Sequence, residues 1–173
     1  MCIGVTAGAC RTMLMLSLVI VPAGSAAERP RGAGGTPSRL IGDLLKAHNA
    51  VRARMKVPPL QWSDQLAGHA RQWAEDLLAR RQFFHRPDSP YGENLFQITG
   101  DSAAPAEVVG DWASESRNYD YRSNTCRGVC GHFTQIVWRD SRSVGCAVAR
   151  RGGREIWVCN YDPPGNVLGE RPY

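Results

Sequence analysis

Imidazoles and carboxylates are the side chains of this sequence that could do chemistry. The chain has four histidines: His48, His69, His85 and His132. Each could ligate a metal or move a proton near neutral pH. No H-E-x-x-H pair is present, and no other spacing among these residues builds a metal site. Glu107, Asp111 and Glu115 recur at i, i+4 and i+8, which reads as the wet face of a helix. His48 and His69 fall inside helical patterns and are assigned structural or surface roles. His132 opens the apolar run Phe133-Thr134-Gln135-Ile136-Val137-Trp138, read as a short strand. There is no G-x-S-x-G, and no Ser or Cys stands beside an evident base, so no activated nucleophile is visible.

The cysteines divide by position. Arg11, the apolar run Met13 to Val21, Pro22 and the small residues Ala23 to Ala27 have the form of a signal peptide spanning 1–27. The apolar run is well short of the roughly 20 residues a membrane helix needs. Cleavage after Ala27 removes Cys2 and Cys10 and leaves Cys126, Cys130, Cys146 and Cys159. An even number of cysteines in a secreted chain implies disulfides. Ser143 to Ala149 and Glu155 to Asn160 look like strands, and Arg151-Gly152-Gly153-Arg154 between them like a tight turn. With Gly152-Gly153 as the loop, Cys146 faces Cys159 on a non-hydrogen-bonded pair. Its Cα spacing of about 4.5 Å lies at the short end of the disulfide range. Cys126 and Cys130 are left for each other.

The elements that must hold these residues follow from periodicity. Residues 28–37 read as a flexible mature N-terminus, and 38–173 is one domain of ordinary size. Leu40, Ile41, Leu44, Leu45, His48, Val51 and Met55 recur at helical spacing behind Pro37-Ser38. Leu66, Ala67, Ala70, Trp73, Ala74, Leu77 and Leu78 form a second stripe, begun at Ser63-Asp64. A third helix is expected from about Ala104 to Asn118, with Pro105 in its first turn. Helices first and hairpin strands later predict an α+β fold, helices packed on an antiparallel sheet. The net charge is +5, and nearly all the cations are arginines interleaved with Asp and Glu. They read as solvated surface and do not suit nucleic acid.

Ordered motifs carry a resemblance. They are His48-Asn49-Ala50-Val51-Arg52; Pro59-Leu60-Gln61-Trp62; His85 followed by Tyr91-Gly92-Glu93-Asn94-Leu95; Trp112-Ala113-Ser114-Glu115; Asn118-Tyr119-Asp120-Tyr121; Gly131-His132-Phe133-Thr134-Gln135-Ile136-Val137-Trp138; and Cys159-Asn160-Tyr161-Asp162-Pro163-Pro164-Gly165-Asn166. Together they resemble the CAP superfamily of cysteine-rich secretory, antigen 5 and pathogenesis-related 1 proteins, most of all its plant-type branch. Arg86 departs from that pattern, as does the lack of a third cysteine pair.

The resemblance implies a three-layer α-β-α sandwich with a central antiparallel sheet. It also implies a cleft tetrad of His85, Glu93, Glu115 and His132, with Zn²⁺ held weakly by His85 and His132. By the same resemblance the protein is a secreted, monomeric, non-enzymatic binding protein with a defence or host-interaction role. Its ligand would be a sterol or fatty acid, and contact with membranes transient. The aromatic spacing linked to sterol binding is missing, because Thr99 and Ser141 fill its third positions. The alternatives are a secreted metal-dependent hydrolase or protease, and a precursor that releases residues 163–173 as a signalling peptide. Against release, the tail reads as an ordered cap over the sheet edge.

Overall fold

The computed structural model of the protein describes residues 37–173. The signal peptide expected over 1–27, with Cys2 and Cys10, lies outside the described residues. The stretch up to residue 36 does too.

Three helices form where the apolar spacing predicts them. The first, α1, spans Pro37–Arg54. After it come a two-residue strand β1, Gln61–Trp62, and helix α2, Asp64–Arg80. Ser63 caps α2 from an extended backbone, its hydroxyl accepting the Leu66 N–H at 3.3 Å. Strand β2, Gly92–Thr99, leads to α3, Pro105–Ser114, which continues as a 3₁₀ turn over Glu115–Asn118. Pro105 opens α3 where a missing N–H costs nothing, and the Glu107 carboxylate accepts the Ala104 N–H at 2.7 Å. The hairpin β3 (Tyr119–Asp120) and β4 (Thr125–Cys126) follows, then α4 (Gly131–Ile136), β5 (Ser143–Arg151) and β6 (Arg154–Asp162).

The main sheet has the order β1-β5-β6-β2. Its three long strands are antiparallel, as expected, while β1 adds a short parallel edge on β5 and makes the sheet mixed. Both faces of the sheet are covered, which gives three layers. Ile156 and Val158 of β6, with Ala147 and Ala149 of β5, meet Ala70, Ala74 and Leu77 of α2. The alternate residues Trp157, Cys159, Tyr161, Val144 and Cys146 join the core under α1, α3 and α4. A strand buried on both faces cannot alternate apolar with polar, and β6 does not. Gly145 is required where α2 starts. A methyl there would overlap the backbone N of Ala67 and the carbonyl oxygen of Ser63.

The hairpin register makes Cys146 the partner of Cys159 at a Cα separation of 4.1 Å, and the two are bonded. Cys126 and Cys130 are bonded as well.

Two expectations are corrected. The run from Gly131 is helix α4 and not a strand. Phe133, Ile136 and Val137 fall at i, i+3 and i+4 and are buried, and short apolar runs do not distinguish strand from helix. What decides is distant: Glu115 accepts the N–H groups of His132 at 3.0 Å and Phe133 at 3.3 Å, satisfying the first turn. The arginines are not all solvated, since Arg52 is fully buried. The tail, expected as an ordered cap, packs on the β3–β4 hairpin and the loop after α4. Arg139 N–H donates to the Pro172 carbonyl at 2.7 Å, and Tyr173 stacks on Tyr121 with ring centroids 4.8 Å apart.

Arg52 donates to the carbonyl oxygens of Pro58 (2.6 Å), Ile136 (2.8 Å), Trp138 (2.7 Å) and Ser141 (3.0 Å). Burial lowers its pKa to about 10, so it stays charged at neutral pH. His48 is also fully buried. Its Nδ1–H donates to the Leu44 carbonyl at 2.8 Å, so Nε2 accepts the Tyr161 hydroxyl at 2.9 Å. Burial lowers the His48 pKa to about 4.

Two outcomes are expected. Arg52→Met strands several buried carbonyls at about 1–3 kcal/mol each, so it should destabilise by at least ~3 kcal/mol in urea unfolding. A loss under ~1 kcal/mol contradicts the role given to Arg52. His48 stays neutral in the fold while the unfolded chain takes up a proton. Its contribution is therefore complete above its ordinary pKa and is lost as pH falls from about 6.5 toward about 4. That difference is worth about 3 kcal/mol, so His48→Gln should flatten the loss of stability across this window. Parallel wild-type and variant curves would refute it.

Candidate functional site

The four candidate residues form two imidazole–carboxylate pairs. His85 lies in the loop between α2 and β2, and Glu93 is the second residue of β2. His85 Nδ1 meets Glu93 Oε1 at 2.8 Å, and the same oxygen accepts the Arg86 N–H at 3.0 Å. The imidazole is largely exposed, whereas the Glu93 side chain is only 6% exposed. His132 is the second residue of α4 and Glu115 the first of the 3₁₀ turn. His132 Nδ1 meets Glu115 Oε1 at 2.7 Å, and the other oxygen of that carboxylate caps α4.

Both carboxylates can only accept at neutral pH, so each imidazole presents Nδ1–H to its partner. Nε2 of each ring is then the nitrogen with a lone pair to offer. Hydrogen bonding to Glu93 raises the His85 pKa, against an opposing effect of burial. The second oxygen of Glu93 is buried and has no hydrogen-bond partner.

The scaffold behind the pairs is specific. Arg86 donates to the His69 carbonyl at 3.3 Å and lies 5.9 Å from the Trp73 ring centroid, fastening the loop to α2. His69 Nδ1 meets Asn160 Oδ1 at 3.1 Å, and Asn160 Nδ2 donates to the Gly92 carbonyl at 3.2 Å, just before Glu93. On the other side Trp112 stacks against His132, with centroids 6.1 Å apart. Asn94 Nδ2 donates to both the His132 carbonyl (3.0 Å) and the Tyr161 hydroxyl (3.2 Å). Asn94, Arg86 and Trp112 thus position the site, and nothing in their own spacing marks them. Of the acidic row, Asp111 is solvated, Glu107 caps α3 and Glu115 holds His132.

A different set gathers most closely among the described residues: ligand atoms of His48, Cys146 and Cys159 lie within 4.8 Å of one another. It is not a metal site. Both sulfurs are spent in the disulfide and both nitrogens of His48 are hydrogen-bonded.

The chain matches the CAP family, described as the cysteine-rich secretory protein family, over residues 45–161. It is 46% identical to pathogenesis-related protein 1 of Arabidopsis thaliana over 132 residues, covering 76% of this chain and 81% of that one. It is 48% identical to pathogenesis-related protein 1A of Nicotiana tabacum over 134 residues, covering 76% and 79%. The venom allergen-like protein 4 of Schistosoma mansoni superposes with a TM-score of 0.67 at 26% identity, covering 79% of this chain and 94% of that one. The zinc-bound structure of NaASP2 superposes at 0.68 with 21% identity, covering 83% and 89%, which shows a shared fold.

Replacing Glu93 by Gln keeps an acceptor for the Arg86 N–H but removes the charge that favours protonated His85. The His85 titration midpoint, read by NMR from its ring proton, should fall toward the ordinary value of about 6.5. An unmoved midpoint would show that Glu93 is not what raises it.

Proposed function

The chain belongs to the CAP (cysteine-rich secretory protein) family, and from that premise we propose an extracellular binding protein of the pathogenesis-related 1 type, with a defence role. We propose further that its site binds a divalent cation, Zn²⁺ by preference, through Nε2 of His85 and of His132. One observation carries the metal reading: in both pairs the carboxylate occupies Nδ1 and leaves Nε2 free. A carboxylate behind an imidazole fixes its tautomer and strengthens it as a ligand, the arrangement that zinc sites favour. The unpartnered buried oxygen of Glu93 suits a water or an ion as well.

With two protein nitrogens the cation is exchangeable, unlike a structural zinc with four protein ligands. When bound, it would polarise water or an oxygen-bearing ligand. The chain's own residues hold and aim the rings: Glu93 and Arg86 on one side, Glu115 and Trp112 on the other. Neither imidazole touches a hydroxyl or thiol nucleophile among the described residues, which favours binding over turnover. The zinc of NaASP2 belongs to that protein and guides the choice of cation for the test.

The extracellular reading rests on the two disulfides and on the pathogenesis-related relatives. No helix among the described residues is long and apolar enough to cross a membrane.

Calorimetric titration with Zn²⁺ should show saturable binding that weakens by at least about tenfold in His85→Ala/His132→Ala. Binding should also weaken as pH falls, because a protonated imidazole cannot ligate, and for His85 the loss begins above the ordinary imidazole pKa. Equal affinity in wild type and double variant removes the metal reading and leaves the family assignment untouched.

A further inference from the structure

Apart from the histidine–carboxylate pairs, the β3–β4 hairpin carries a pocket of about 430 Å³. Arg117, Arg122 and Arg127 line it, with Asn118, Asp120 and Tyr121. Such a volume lies within the range of small-ligand sites, about 300–1,000 Å³. None of the three guanidinium groups forms an ion pair among the described residues. The carboxylates that pair with arginine lie elsewhere, on Asp43, Asp76 and Glu155. Arg117 makes one long contact, 3.4 Å to the Ser114 hydroxyl.

Asp120 is the carboxylate in the wall, and it is committed to the turn. It accepts the N–H groups of Arg122 at 2.9 Å and Ser123 at 3.4 Å, and those bonds, ahead of Arg127, lower its pKa. The surrounding backbone is braced from three directions. Arg127 N–H donates to the Asn118 carbonyl at 2.8 Å. The Cys126–Cys130 disulfide closes the loop beside it. From the tail, Arg171 donates to the carbonyls of Tyr121 (3.2 Å) and Arg122 (3.1 Å) and sits 5.7 Å from the Tyr121 ring centroid.

The braced backbone presents three exposed guanidinium groups around one concave surface, none of them in an ion pair among the described residues, and such forks match carboxylate and sulfate oxygens two at a time. The geometry points to a binding site for an acidic oligosaccharide, its uronate or sulfate groups on Arg117, Arg122 and Arg127, its hydroxyls toward Asn118 and Tyr121. Choosing a glycan as the source of the anion rests on the extracellular reading. The site itself does not.

The test uses the intact disulfide-bonded protein at about 0.15 M salt, where diffuse surface attraction is screened. Calorimetry is run with tetragalacturonate, a heparin tetrasaccharide, neutral maltotetraose and inorganic phosphate. Binding of at least one acidic tetrasaccharide is expected, with none of maltotetraose. Arg122→Ala/Arg127→Ala should weaken it by about tenfold or more, the scale of lost charge-assisted contacts. Arg54→Ala/Arg71→Ala, an equal loss of charge at exposed positions on α1 and α2, should leave it within about twofold. Asp120→Asn keeps the turn acceptor and removes the negative charge, so it should bind more tightly, a gain that damage to the fold does not produce. Equal losses in the two double variants, or phosphate binding as tightly as the tetrasaccharides, overturns the proposal. If glycan binding holds and the expressed protein is not recovered from the medium, the extracellular reading alone fails.

Discussion

A buried cation organises this fold. Arg52 has no carboxylate partner among the described residues, and its charge is met by carbonyl dipoles from two separate stretches of chain, at Pro58 and over 136–141. Ile136 and Trp138 lie at and just beyond the end of α4, where helix carbonyls lack partners and the helix dipole is negative. The guanidinium serves as a C-terminal cap delivered from another helix. It fixes α1 against α4 and the loop that follows, and α4 carries His132. Only arginine has enough donors, in a planar array, to serve so many acceptors at once. Lysine could not replace it.

A second polar chain, separate from the Arg52 contacts, runs through the core to the His132 carbonyl. Asn94 donates to the Tyr161 hydroxyl, which donates to His48 Nε2, while His48 Nδ1–H donates to the Leu44 carbonyl. The sense of donation is consistent from end to end, which strengthens the bonds cooperatively. Burial keeps His48 neutral and Tyr161 protonated, and both states are the ones the chain requires. Asn94 also holds the His132 carbonyl, so the core network and the site share a residue. The site carboxylates are structural too. Glu115 caps α4 before it orients His132, and Glu93 pins the Arg86 amide before it orients His85.

Legibility in the sequence followed the range of the interactions. Helix α2 was readable because its apolar stripe and its Ser63 cap are local. The β5–β6 hairpin was readable because two glycines set the register, and the register alone places Cys146 opposite Cys159. Helix α4 was misread because its cap comes from Glu115, far behind it in the chain. Arg52 was misread because composition counts arginines without saying which carbonyls will surround them. The pairing of the histidines with Glu93 and Glu115 had no signature in spacing. It was expected only through the resemblance of the surrounding motifs.

The excess of arginine that looked uniform along the sequence includes at least three physically distinct kinds. Arg52 is an internal strut. Arg86, Arg150 and Arg171 are fasteners: each spends its fork on a carbonyl or on Glu155 and rests against an aromatic ring. Their charge is largely used up in holding loops, strands and tail. Arg122 and Arg127 differ in kind, because their backbones are held firmly while their side chains have no carboxylate within ion-pair distance. A net charge near +5 is too small to steer ligands as a whole-molecule field. Any electrostatic recognition must therefore be local, and the β3–β4 hairpin is one place where cations without an ion pair stand together on a braced backbone.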